Sequence, residues 1–125
     1  LAKMTTIIIS KVLSKMDTER NLVIPTSSLG FLPFEEGHSA NMVVEDESTR
    51  QAWIFHCTIK GDENKGLVLS VSWLDFVRDK SLKENDEVTI FQEEFMKEKA
   101  MGTRFKIVVK RKIRLFGADI WADVI

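Results

Sequence analysis

A chain of 125 residues, 44% apolar and 30% charged, has the length of one domain and is too hydrophobic to stay natively disordered. Its 18 basic and 19 acidic side chains leave a net charge of -1, which excludes a long-range positive field and confines any nucleic-acid face to a local patch. One cysteine and two histidines exclude a disulfide framework and a four-ligand Cys/His zinc site.

Period-two alternation of β-branched and aromatic residues predicts strands near 6–13, 21–25, 40–46, 51–59, 66–70, 86–93 and 103–111. After Pro25, the run Thr26-Ser27-Ser28 supplies residues of the N-cap type and predicts a short helix ending before Gly30 and Pro33. In the 51–59 run Trp53, Phe55, Cys57 and Ile59 share one face, so Trp53 and Phe55 are expected in the core. Ala52, His56 and Thr58 share the other face, with Ile54 interrupting its polarity. Trp73, Phe76 and Val77 recur at helical spacing, and Ser72 with Asp75 reads as a capping pair, which predicts a helix over about 72–80. In the last strand Phe105, Ile107 and Val109 form the inner face. Arg104, Lys106 and Lys110, with Val108, form an outer basic stripe expected to be solvated.

Neither Pro25 nor Pro33 marks a linker, and no repeat appears. The division expected is a domain over 1–112 and an apolar tail over 113–125. That tail holds Ile113, Leu115, Phe116, Ile120, Trp121, Val124 and Ile125, a density that calls for cover by the domain, by a protein partner or by a second copy. Seven strands and two short helices make a mainly β fold, a closed or nearly closed barrel.

Charge is sorted along the chain: residues 35–47 carry Glu35, Glu36, Glu45, Asp46 and Glu47 without a base, whereas 103–114 carry six bases without an acid. Lys110-Arg111-Lys112 followed by Arg114 also matches a loose nuclear-localisation pattern. No catalytic constellation stands out. His38 and His56 have no nucleophile motif nearby, Cys57 sits in an apolar alternation, and no Gly-rich phosphate loop or Gly-x-Ser-x-Gly elbow occurs. Neither an enzyme nor a cofactor or metal site is expected. No run reaches the roughly 18 apolar residues of a membrane helix, so no membrane association is expected. The start Leu1-Ala2-Lys3-Met4 reads as that of a fragment without a secretion signal.

The stretch Leu69-Ser70-x-x-Trp73-x-x-Phe76-Val77-x-x-Lys80-x-Leu82-Lys83-x-x-Asp86-x-Val88-x-x-Phe91 resembles the plant B3 DNA-binding domain. Lys11-x-Leu13-x-x-x-Asp17, then Leu22-Val23-Ile24-Pro25, and Trp53-x-Phe55 extend the similarity over about residues 7–111. The region 92–101 and the ending Leu115-Phe116-Gly117-Ala118-Asp119-Ile120-Trp121 look closest to the divergent reproductive-meristem branch. The resemblance implies a seven-stranded open β-barrel, or pseudobarrel, that grips the major groove of duplex DNA with two arms, in the nucleus, as part of a transcription regulator. The arms map onto Ser14–Asn21 and Lys60–Lys65.

In the first arm Lys15 and Arg20 can neutralise phosphates, Arg20 can also read a base, and Asn21 can donate and accept at a base edge. A plain polar turn carries the same residue types. In the second arm Lys60, Asn64 and Lys65 are candidate contacts, set against Asp62 and Glu63, which a polyanion disfavours. Lys106 and Lys110 are candidate phosphate contacts flanking the duplex. The competing expectation is a B3-like barrel that has turned to protein–protein interaction, with weak or no DNA binding.

Overall fold

Residues 2–28, 39–97 and 100–124 are described by a computed structural model. In chain order the elements are β1 (Ala2–Val12), α1 (Lys15–Glu19), β2 (Leu22–Pro25), a 3-10 turn (Thr26–Ser28), β3 (Ser39–Asp46), β4 (Ala52–Asp62), β5 (Gly66–Ser72), α2 (Leu74–Lys80), β6 (Glu87–Lys97), β7 (Ala100–Leu115) and β8 (Ala118–Asp123). The strands form one sheet in the order β1-β6-β7-β3-β4-β5-β2, with β8 added to β7. All pairs are antiparallel except β3–β7. Among the described residues the two end strands, β1 and β2, do not pair, so the sheet curls into an open barrel, as expected of the mainly β chain.

Alternation sends one face of each strand inward. Val44 of β3, Phe55, Cys57 and Ile59 of β4, Val88 and Ile90 of β6, and Ile107 and Val109 of β7 are all buried. Helix α2 adds Phe76 and Val77 to this core and sits on it through aromatic contacts. Phe76 meets Trp53 edge-on at 5.4 Å and Phe55 at 5.6 Å, and stacks on Trp73 at 6.0 Å. Trp53, expected in the core, is half-buried at its edge.

Three local expectations change. The helix expected from Ser72 starts later: Trp73 is the N-cap and makes no side-chain cap bond, because Ser72 still pairs with His56 in the β4–β5 ladder. Burying Trp73 outweighs the lost cap, since a cap contributes about 1 kcal/mol and a buried large side chain about 2 to 3. Thr26–Ser28 forms only a 3-10 turn, and Gly30 and Pro33 lie outside the described residues. The second α-helix is α1, inside the first arm.

Strands beyond the expected set come from the tail. β7 runs on to Leu115, turns through Phe116-Gly117, and returns as an eighth strand, β8. Both turn residues have positive φ, 51° and 79°, the signature of a type I′ hairpin turn. Val124, just past β8, joins the core, while most of the hairpin beyond Lys110 is exposed.

Candidate nucleic-acid interface

The two arms meet across one face of the sheet. β5 lies between β4 and β2, with Gly66 opposite Asp62 and Leu22 opposite Val71, so the β4–β5 hairpin and the α1–β2 connection flank opposite ends of β5. Between them lies a hollow of about 390 Å³, lined by Arg20 and Asn21 from the first arm and Lys60, Asp62 and Lys65 from the second. Lys11, Asp17 and Ser70 form part of its wall.

The first arm is a capped helix rather than a loose turn. Ser14 Oγ accepts from the Asp17 N–H at 3.3 Å, and Asp17 Oδ2 accepts from the Ser14 N–H at 2.8 Å, a capping box with Asp in the reciprocal position. Asp17 is 1% exposed. Its carboxylate also takes Lys11 Nζ at 2.9 Å and the Val23 N–H at 3.3 Å, and its backbone oxygen accepts from Trp73 Nε1 at 2.9 Å. Lys11 Nζ further donates to the Val23 carbonyl at 2.7 Å. One buried aspartate thus ties the arm to β1 and β2 through its carboxylate and to the start of α2 through its backbone oxygen.

On this fixed base Arg20 is exposed at the helix C-cap, its own N–H donating to Met16 O at 2.9 Å. Lys15 is exposed and only loosely paired with Glu19, at 3.9 Å. Asn21 donates through Nδ2 to Ser70 Oγ at 3.0 Å, which orients its amide across the floor between β2 and β5.

The second arm uses one of its acids internally. Asp62 Oδ1 accepts the N–H groups of Asn64 at 2.9 Å and Lys65 at 3.1 Å, an Asx turn. Gly66 follows at φ +75°, a left-handed conformation that a side chain would strain. Lys60, Asn64 and Lys65 are exposed, and Lys60 and Lys65 line the hollow. Its lining carries Lys11, Arg20, Lys60 and Lys65 against Asp17 and Asp62, four positive charges to two negative.

The two candidates on β7 stand apart, three strands from β5. The expected solvated stripe fails at Lys106, which is 6% exposed. Its Nζ lies 3.1 Å from Glu47, 3.4 Å from Glu93 and 3.8 Å from Glu45. Burial alone would lower its pKa, but Glu47 and Glu93 outweigh that and hold it above the ordinary lysine value. The physical reason lies in the parallel pairing of β3 and β7, which sets Glu45 opposite Lys106. Lys106 of the basic segment thus neighbours Glu45 and Glu47 of the acidic one, whereas Asp46 is paired with Lys80 of α2. Lys110 is exposed, between Glu87 and Asp123 in the two ladders. Arg111 is held by Asp86 through two bonds of 2.9 Å and donates to Ser81 O at 3.1 Å.

The remaining reactive side chains offer no chemistry in this hollow. Cys57 is buried, and burial pushes its thiol up to about 11. His56 pairs through Nδ1 with Asn41 Oδ1 at 2.9 Å. His38, Glu35 and Glu36 lie outside the described residues, as does the Arg104 side chain. Among the described residues no cluster of His, Cys, Asp or Glu could hold a metal ion, and no helix is long and apolar enough to cross a membrane.

Comparison with known proteins places this architecture. The B3 DNA binding domain profile matches residues 9–111. The chain belongs to the B3 family. A solved relative in fold is the Arabidopsis FUS3–DNA complex, with a TM-score of 0.55 and 18% identity over 82% of this chain and 96% of that one. No curated protein sequence matches significantly. Inside this B3 domain, sequence reasoning missed Lys11 and Asp17 as the clamp behind the first arm. The Ser14-x-x-Asp17 spacing was the available signal for it.

Proposed function

We propose that this B3 domain binds duplex DNA sequence-specifically in the major groove, as part of a plant nuclear transcription regulator. One observation carries the reading: Arg20 and Asn21 of the first arm and Lys60 and Lys65 of the second line the same hollow. Arg20 and Asn21 are the base readers, since guanidinium and amide groups pair bidentately with guanine and adenine edges. Lys15, Lys60 and Lys65 hold phosphates, with Asn64 at the rim. Lys110 is a peripheral phosphate contact at most, and Lys106 is left out because its charge is already balanced. The family and the complex formed by FUS3 with DNA support this reading. Placement in the reproductive-meristem branch rests on the sequence at 92–101 and 115–121.

The competing reading, a barrel devoted to protein contacts, drew on the net charge of -1 and on the acids of the second arm. Glu45 and Glu47 face Lys106 and Asp46 faces Lys80, none of them lining the hollow, so the net charge does not describe the patch between the arms, and the Asx turn gives Asp62 a structural task. Selection from a random duplex library, followed by titration at low and near-physiological salt, tests the proposal. An enriched short site, bound about 10³ times more tightly than scrambled DNA and more weakly as salt rises, is expected. Affinity that follows salt but not sequence would remove specificity, and no binding at low salt would overturn the proposal.

A further inference from the structure

The β7–β8 hairpin is an exposed two-stranded ribbon with an open edge. Ile113, Leu115 and Ile120, each 45 to 48% exposed, share one face, because Ile113 pairs with Ile120 and Leu115 with Ala118. Trp121, 42% exposed, lies on the opposite face beside Lys112. Two strands alone are marginal in water, and an apolar ribbon face gains from further strands. Among the described residues no strand pairs with the outer edge of β8. That edge contains neither Pro nor Lys, and its charges are Asp119 and Asp123.

The hydrogen-bond phase of β8 restricts what can add to it. Leu115 and Ala118 close the two-residue turn, so Ala118, Ile120 and Ala122 turn their backbone groups toward β7. The Val124 N–H, donated to Val109 O at 2.8 Å, keeps this phase. Asp119, Trp121 and Asp123 therefore point their N–H and C=O groups outward. A two-fold antiparallel pairing must place a residue on the axis, and Ile120 and Trp121 are the central choices. With Trp121 on the axis, Asp119 would face Asp123 of the second copy, a like-charge pair. With Ile120 on the axis the strand is self-complementary: Ile120 meets Ile120 and Ala118 meets Ala122. On the opposite face Asp119 meets Trp121, flanked by Arg114 and Lys112 of the two β7 strands.

We propose that two copies of this chain associate by antiparallel pairing of their β8 strands about Ile120. The result is a four-stranded ribbon, β7-β8-β8-β7, whose apolar face runs unbroken through Ile113, Leu115 and Ile120 of both copies. This interface is separate from the arm hollow and does not rest on DNA binding. Its small area makes a weak dimer, populated at concentrations of about 200 µM.

Sedimentation equilibrium of the whole 14.3 kDa chain is expected to show the mass doubling across that range. Ile120→Lys puts two cations on the axis, and Trp121→Pro removes an outward N–H without touching the β7 ladder. Both variants are expected to stay monomeric, with the melting profile of the parent at low concentration. Ile120→Cys is expected to cross-link on mild oxidation, because non-hydrogen-bonded partners have Cα atoms about 4.5 Å apart. Trp121→Cys is not, and the buried Cys57 takes no part. A parent chain that stays monomeric throughout would overturn the proposal. So would a dimer untouched by both edge variants, or cross-linking through residue 121 in place of 120.

Discussion

Asp17 and Asp46 show how single carboxylates set the terms for larger pieces of this molecule. Asp17 fixes the arm on which Arg20 and Asn21 are displayed, so alanine at either display position should leave the fold intact. Arg20→Ala and Asn21→Ala are each expected to cost roughly 1 to 3 kcal/mol on the preferred DNA site and to relax its sequence, as read by competition between selected and substituted duplexes. Unchanged affinity and preference in both would move base reading elsewhere. Asp46 faces Lys80 at 2.7 Å, with both side chains almost fully buried. Burial alone would raise its pKa, but Lys80 and Ser48 outweigh it and hold the carboxyl below its ordinary range. A lowered folded value contributes stability that is present above about pH 4 and lost as pH falls through the folded value. Asp46→Asn should therefore cost about 3 to 5 kcal/mol at pH 7, by leaving Lys80 buried with Ser48 but without its counter-charge. Urea unfolding at a series of pH values should show a shallower acid loss in the variant. Phe116, 99% exposed at φ 51°, occupies a position that favours Asn or Gly. Phe116→Asn is expected to stabilise the fold by about 0.5 to 1 kcal/mol in thermal melts.

The elements differ in how openly the sequence declares them. β3 and β4 alternate strongly, with Met42 and Val44 or Phe55, Cys57 and Ile59 buried in turn, whereas β5 buries Val68, Leu69, Ser70 and Val71 in succession, and the strands β3 to β7 all start within a few residues of expectation. α1 has no such stripe, because its single buried side chain is the polar Asp17, and five residues are too few for a period. β8 reads as an apolar tail because its alternation is broken by Trp121, although the Phe116-Gly117 pair marks the turn once the type I′ geometry is known. Lys106 is illegible from sequence for a different reason. Its partners on β3 and β6 come from distant segments, and only the parallel β3–β7 pairing brings Glu45 and Glu47 to it. The second arm yields a prediction that separates charge from shape. Asp62→Ala removes a negative charge beside the proposed DNA path, which by Coulomb effects alone should tighten binding. Because Asp62 organises the turn through Asn64 and Lys65, affinity is instead expected to fall by about 3- to 10-fold, measured by fluorescence anisotropy.

At the scale of the whole molecule, near-neutral charge and DNA binding are compatible because charge is compartmentalised. Glu45 and Glu47 face Lys106, Asp46 faces Lys80 and Asp86 faces Arg111, none of them lining the hollow, which leaves a small positive patch where the arms meet. Three phosphate contacts, from Lys15, Lys60 and Lys65, give an expected salt slope of about -2.7 in log affinity against log salt. Lys60→Ala or Lys65→Ala should each reduce its magnitude by about 0.9. The measurement that bears most directly on the account is the map of backbone amide shifts when the domain is titrated with a duplex carrying its selected site. Perturbations concentrated at 14–21 and 60–70, with β7 beyond Lys106 quiet, are the predicted result. Shifts centred on 110–121, with the arms unmoved, would contradict it.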